Sequence, residues 1–234
     1  MVARLAIRSA PAKLTKRGGF LAYRSQDRTF RGITRPLSGL YSCTNPESES
    51  ESRNGGWRGV GGGLRRGRAV DSQVTRVLNS RGAATFALTK LVLSSLHHHG
   101  LKPVCAQRVV TDASTGLATA ADVVAVRGDA ELVLVELKCG FRGDRTLPAT
   151  RAGRVLRMKG PIKRAKDTFV NRHFAQLSAT LAMFCNERDT LKRLRDDGIA
   201  SITGAVLYAD TTGSELFELP EWWRKRGREI LHAL

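Results

Sequence analysis

Glu136-Leu137-Lys138 sets an acid and a base one residue apart at the end of a nearly unbroken aliphatic run, Glu131-Leu132-Val133-Leu134-Val135. Such a run reads as a strand buried on both faces. Side chains alternate along a strand, so Glu136 and Lys138 project from the same face. A carboxylate taken out of water there needs a cation opposite it, and either Lys138 or a metal ion can be that cation. Asp122 supplies a second acid from the preceding apolar run, Thr119-Ala120-Ala121-Asp122-Val123-Val124. A hairpin turning at Arg127-Gly128-Asp129 brings Asp122 opposite Glu136. Two carboxylates and an ammonium at one strand end make an oxygen-ligand site for a hard cation, with a polarising positive group beside it. E-x-K occurs once in this sequence and D-x-K not at all, so the string alone is weak and its position in a buried strand carries the weight. The bland alternative is a satisfied Glu–Lys pair at a strand end.

The elements that must position these residues follow from periodicity. Residues 69–99 carry Val70, Val74, Val77, Leu78, Phe86, Leu88, Leu91, Val92 and Leu96, mostly at helical spacing. A break near Ser80-Arg81-Gly82 divides them into two helices, and Gly100 ends the second. Strands are expected at 104–110, 117–126 and 131–137, with Ser114-Thr115-Gly116 turning between the first two. Residues 139–160 read as a basic loop and 162–185 as a long amphipathic helix with Phe169, Phe174, Leu177, Leu181 and Phe184 on one stripe. A strand at 202–209, a short strand at 215–219 and a helix after Pro220 close the chain. The order predicts an α/β domain with a mixed central sheet flanked by helices, occupying residues 63–234.

The first 62 residues look different. They hold an acidic-serine run, Glu47-Ser48-Glu49-Ser50-Glu51-Ser52, and the glycines Gly55, Gly56, Gly61 and Gly62, with no sustained apolar period. They read as a disordered basic, Gly/Ser-rich tail. Arg4, Arg8, Lys13, Lys16, Arg17 and Arg24 precede any acid, a composition shared by mitochondrial-type transit segments and by plain basic arms.

Across 234 residues, 39 Lys and Arg face 21 Asp and Glu, a formal charge of +18, which points to a polyanionic partner. A hydrophobic share of 41% is enough for one core, and no apolar run is long enough to span a membrane. Cys43, Cys105, Cys139 and Cys185 form no C-x-x-C pair, which argues against a zinc module and favours a reducing, intracellular compartment.

Asp122 and Glu136-Leu137-Lys138 together resemble the motif of the PD-(D/E)XK nuclease superfamily, whose core runs helix, three strands, helix, strand; the same order covers residues 67–209. The likeness is best to its RecB-like and lambda-exonuclease-like branch, which carries a glutamine on the helix after the third strand. His173-Phe174-Ala175-Gln176-Leu177 offers Gln176 in that place, and Gly67-Arg68-Ala69-Val70-Asp71 offers Asp71 on the first helix. Two positions depart from the pattern: Ala121 stands where a proline usually precedes the first acid, and Thr180 where an aromatic follows the glutamine. The resemblance implies a metal-dependent deoxyribonuclease of replication, recombination, repair or genome processing, working in the nucleus or another DNA-containing compartment. It implies Mg²⁺ or Mn²⁺ held by Asp122, Glu136, the Leu137 carbonyl and Asp71, with Lys138 acting on the attacking water and Gln176 on a substrate phosphate. A non-catalytic nucleic-acid-binding or assembly protein on the same fold is the rival, and RNA cleavage a third reading.

A basic stretch follows the proposed site: Arg142, Arg145, Arg151, Arg154, Arg157, Lys159, Lys163, Arg164, Lys166 and Arg172, opposed only by Asp144 and Asp167. Its place suits a grip on a phosphate backbone. His97-His98-His99 point in different directions from a helix and read as a polar helix end. Trp222-Trp223 read as an anchor for the last helix. Cys139 has no histidine or second cysteine placed to make it a nucleophile and reads as a packed residue.

Overall fold

The computed structural model of the chain describes residues 13–17, 20–25, 28–42, 62–80, 82–140 and 144–234. The elements, in order, are strands β1 (Lys13–Arg17), β2 (Phe20–Ser25) and β3 (Arg28–Gly32), a short helix α1 (Thr34–Leu37), and helices α2 (Gly62–Ser80) and α3 (Ala87–His98). Strands β4 (Leu101–Asp112), β5 (Leu117–Arg127) and β6 (Glu131–Cys139) follow, then the two-residue strands β7 (Thr150–Arg151) and β8 (Arg154–Val155). Helices α4 (Phe169–Phe184) and α5 (Arg188–Asp196), strands β9 (Ser201–Asp210) and β10 (Gly213–Glu218), and helix α6 (Glu221–His232) complete the chain.

The expected α/β architecture with a mixed central sheet is observed. β6 pairs antiparallel with β5 and parallel with β9, while β4 flanks β5 and β10 flanks β9, both antiparallel. Helices cover both faces. Val133, Val135 and Leu137 of β6 pack with Val70 and Val74 of α2 and with Val92 and Leu96 of α3. Leu132 and Leu134 join the opposite cluster with Phe174 and Leu177 of α4 and Trp223 and Ile230 of α6. This double burial is why β6 is aliphatic at nearly every position.

Three expectations are corrected. The unstructured tail does not extend over the described part of residues 1–62. There, β1, β2 and β3 form an antiparallel ladder, and β3 then joins β5 in parallel at Arg31↔Leu117 and Gly32↔Ala118. Phe30, Ile33, Leu37 and Leu40 are buried, and the last three enter the core beside Val110, Leu117, Met158 and Ile162. Their three- and four-residue spacing is the apolar period that the serine- and glycine-rich surroundings obscure. The acidic-serine run and the glycines up to Gly61 lie outside the described residues. Secondly, the helix expected at 162–185 begins only at Phe169, capped by the Thr168 hydroxyl, which accepts the Asn171 amide at 3.1 Å. The preceding residues pair back on the chain before them: Ala165 and Met158 share a backbone hydrogen bond, and Arg157 bridges Lys166. Thirdly, α5 was not anticipated; its short, strongly charged sequence has one buried side chain, Leu194.

No helix among the described residues is long and apolar enough to cross a membrane. Cys105, Cys139 and Cys185 are free thiols.

Candidate functional site

β5 and β6 pair from Arg127↔Glu131 to Val123↔Val135 and then part, whereas β6 stays paired with β9 as far as Cys139↔Ala209. The Leu137 amide therefore loses its place in the β5–β6 ladder and needs another acceptor. Asp122 provides it, with Oδ2 accepting from Leu137 N at 2.8 Å while Oδ1 accepts from Gln107 Nε2 at 3.1 Å. Parting strands and a side chain in the gap bring the two acids together at the end of β6.

Glu136 and Lys138 share a face as expected. Lys138 Nζ donates to Glu136 Oε1 at 2.6 Å, and Gln176 Nε2, from α4, donates to the same oxygen at 2.6 Å. Gln176 thus reaches the site, but its amide lies on Glu136 rather than open to a phosphate. Glu136 is 2% exposed, and its Oε2 is buried with no hydrogen-bond partner. Asp71, on α2, is within electrostatic reach of Asp122, Glu136 and Lys138.

Three acids around one ammonium set the local titration. Burial, then the Asp122 charge, raises Glu136 to about 7 against the opposing pull of Lys138. Burial and Asp122 raise Asp71 to about 7 as well. Asp122 is raised by burial, with Lys138 and the Leu137 and Gln107 hydrogen bonds opposing. Burial pulls Lys138 down, but Glu136, Asp122 and Asp71 outweigh it and hold the lysine above its ordinary value. The cluster carries a fixed cation and more acid than that cation can neutralise.

Several neighbours were missed from the sequence. Tyr41 and Tyr23, in the stretch read as tail, both feel the Glu136 charge, and burial raises Tyr41 to about 12. The Arg172 guanidinium sits over the Tyr41 ring, 4.6 Å from its centre. On the far side, the His173 Nδ1 and Tyr208 hydroxyl are hydrogen-bonded at 2.5 Å, and Tyr208 is Lys138's register partner in the β6–β9 ladder. Burial, then the Lys138 and Arg172 charges, holds His173 well below the usual histidine range, so it is neutral. No motif announced these residues, because each gains its place only from chain pairing remote in sequence.

The basic stretch divides in two. Arg151 and Arg154 flank the turn between β7 and β8, and with Arg157, Lys159, Lys163, Arg164 and Lys166 they are exposed. Arg145 and Arg172, expected to hold phosphate, are both engaged by acids of the fold. Arg145 pairs with Asp210 at 3.1 Å and Glu215 at 3.5 Å. Arg172 binds both oxygens of the buried Asp167, at 2.6 and 2.9 Å. Each arginine is drawn inward by an acid that the sequence places far away or at a helix start. Arg142 lies outside the described residues. His97, His98 and His99 are exposed at the end of α3, and Trp223 is buried against Phe174. Burial, reinforced by the Asp71 and Asp122 charges, pushes the Cys139 thiol up to about 12, which leaves it inert.

Among the described residues no three His, Cys, Asp or Glu side chains stand as a ready-made metal cage. What the site offers is an unpartnered buried carboxyl oxygen, a second carboxyl beside it and a third within electrostatic reach. That donor set suits Mg²⁺, which keeps several waters and is commonly held by one or two carboxylates together with substrate phosphates. Comparison with protein families, curated proteins and solved structures finds no match to this chain.

Proposed function

We propose that the chain is a metal-dependent nuclease that hydrolyses DNA phosphodiester bonds at the Asp122–Glu136–Lys138 site. The observation that carries this reading is the Glu136 Oε2, a buried carboxyl oxygen left without a partner beside two further acids. Leaving a buried acceptor without a partner costs about 1–3 kcal/mol, which a bound cation would relieve. The resemblance of Asp122, Glu136-Leu137-Lys138 and Gln176 to the PD-(D/E)XK pattern supports the same reading, as does the order of elements from α2 to β9.

Asp122, Glu136, the Leu137 carbonyl and Asp71 would hold Mg²⁺ or Mn²⁺. Such an ion, when bound, lowers the pKa of a water and draws charge from the phosphate. Lys138, which keeps its proton, donates to a phosphate oxygen as negative charge develops there. Gln176 holds Glu136 by one oxygen and so fixes the direction of the other. The exposed Arg151, Arg154, Lys159, Lys163, Arg164 and Lys166 grip the phosphate backbone.

The test is cleavage of end-labelled single- and double-stranded DNA and of RNA with Mg²⁺, Mn²⁺ or EDTA, comparing wild type with Glu136→Ala. Metal-dependent cutting lost in the variant is the expected result; equal cutting by both proteins, or none under any condition, removes the proposal. One observation favours a non-catalytic nucleic-acid-binding protein: Lys138 already closes on Glu136 at 2.6 Å. Salt-dependent DNA binding, indifferent to Mg²⁺ and without cutting, would mark that outcome.

A further inference from the structure

Gln107 departs from the rest of its strand. β4 pairs with β5 at Ala106↔Val123 and again at Arg108↔Ala121, with the same offset on either side, so no residue is inserted between them. Yet Gln107 has φ 54, in the left-handed region. That conformation is disfavoured for any residue with a Cβ, and glutamine is not among those that tolerate it well. The register shift of this ladder lies earlier, between Pro103 and Cys105, and from Cys105 onward the offset is constant past Gln107.

The conformation accompanies one contact. Gln107 Nε2 donates to Asp122 Oδ1 at 3.1 Å, while Leu137 N donates to Oδ2 at 2.8 Å. One donor leaves a carboxylate free to rotate about its last bond; two donors on different oxygens fix its plane. The main chain before Gln107 is clamped as well. Asn79, on α2, brackets Ala106, its Oδ1 accepting from Ala106 N at 2.9 Å and its Nδ2 donating to Ala106 O at 3.0 Å. The same helix carries Asp71. Unfavourable backbone persists where the surroundings over-determine it, and such positions gather at functional sites.

We infer that Gln107 is a positioning residue that orients the Asp122 carboxylate for the reaction, with Asn79 holding its backbone in place. The inference rests on the nuclease reading for its purpose but not for its contact. Gln107→Gly accepts φ 54 and deletes the amide, and Gln107→Asn also accepts left-handed backbone but is one methylene too short to reach. Each is made alone and with Asp122→Ala, so that a protein failing to fold in one form is replaced by the other.

Three readouts apply. In urea unfolding, Gln107→Gly raises the midpoint when Asp122→Ala is already present, because strain is relieved and no hydrogen bond is lost; with Asp122 intact the gain is smaller or reversed. In Mn²⁺ binding to the folded protein, affinity falls by about tenfold or more, the usual scale for losing a group that orients a ligand. In cleavage, kcat falls by a similar factor while KM for DNA stays put. Equal urea effects in both backgrounds overturn the inference, as do wild-type Mn²⁺ affinity and kcat in Gln107→Gly. A wild-type protein that neither binds Mn²⁺ nor cuts DNA overturns the nuclease reading and with it the catalytic purpose of Gln107. The urea comparison still decides whether Gln107 holds Asp122.

Discussion

Asp122 lies across from Glu136 where β5 and β6 part: their ladder ends at Val123↔Val135, and Asp122 Oδ2 accepts the Leu137 amide at 2.8 Å. A carboxylate thus stands where the next main-chain partner would otherwise be. The substitution satisfies a backbone donor and at the same time sets two acids together in a poorly solvated place. Lys138 is the only cation bonded to either of them among the described hydrogen bonds.

Lys138→Met tests how far that one ammonium holds the cluster. With it gone, Glu136, Asp122 and Asp71 repel one another without compensation, and the fold is destabilised by about 3–5 kcal/mol at mildly alkaline pH. The loss shrinks as pH falls, because the acids can take up protons instead. Urea midpoints for wild type and variant across the pH range measure this; a constant difference would show that the lysine does not screen the acids. On the nuclease reading, cleavage also falls by about 10²–10⁴, the scale of a positioned proton-bearing group.

The acids give a pH dependence of definite sign. Glu136 and Asp71 rise from ordinary carboxylate values to about 7. Between those limits the folded protein binds more protons than the unfolded chain, so this contribution to stability falls as pH rises toward 7. Lys138 on β6 and Asp122 on β5 face the same space, and neutral His173 on α4 and protonated Tyr41 do not change charge in this window. A divalent cation relieves the penalty only when the acids are ionised. Mg²⁺ therefore raises Tm more above pH about 7 than below it, and Glu136→Gln shrinks the gain. Thermal melts with Mg²⁺ or EDTA at two pH values check this, and an equal shift at both would exclude the acids as the binding site.

The two classes of arginine separate experimentally. Arg151→Ala with Arg154→Ala removes exposed charge from the β7–β8 turn, so Tm holds while the slope of DNA affinity against log salt drops by about 2. Arg172→Ala instead strands the buried Asp167 and lowers stability by about 3–5 kcal/mol, as the loss of one partner of a buried pair does. Binding isotherms at several salt concentrations alongside melts distinguish them. An unchanged slope for the double variant would place the grip elsewhere.

The legible part of this site is the part carried by short-range pattern. The aliphatic run of β6 announces a strand covered on both faces, the turn at Gly128 fixes the β5–β6 register, and that register puts Asp122 against Glu136. Gln176 follows from the resemblance, which sets a glutamine on the helix after the third strand, and α4 carries it to Glu136. The illegible part depends on chain brought from far away. Tyr41 reaches the site because Ser42 N donates to Asp167 Oδ2 at 2.8 Å and Lys159 N to Leu40 O at 2.8 Å, contacts across more than a hundred residues. Gln107 is invisible for another reason: backbone conformation at a single strand residue leaves no periodic trace. Charge misled in the basic stretch, where a count cannot tell an exposed arginine from one folded onto a distant acid.

Gly227 shows how closely the helix carrying Gln176 is held. A Cβ added there would stand 2.4 Å from the Ser178 carbonyl oxygen and 3.0 Å from the Ala182 Cβ, so α6 lies against the backbone of α4. Ser178 is itself fully buried, its hydroxyl donating to Phe174 O at 2.6 Å, and α4 has no flexible side chain at this contact that could move aside. Gly227→Ala therefore separates the helices, for a loss of about 1–3 kcal/mol from overpacking and a fall in Tm of roughly 2–4 °C for each kcal/mol. Gly67 in α2 is the control: a Cβ there meets nothing within 4 Å, and alanine gains up to about 1 kcal/mol from helix propensity. The two substitutions should move Tm in opposite directions. Because Gln176 lies on α4 and donates to Glu136 at 2.6 Å, displacement of that helix also loosens Glu136. Gly227→Ala should then weaken Mn²⁺ binding even below its melting range, while Gly67→Ala leaves it intact. A Gly227→Ala protein as stable as wild type would show that α6 does not clamp α4 at this contact.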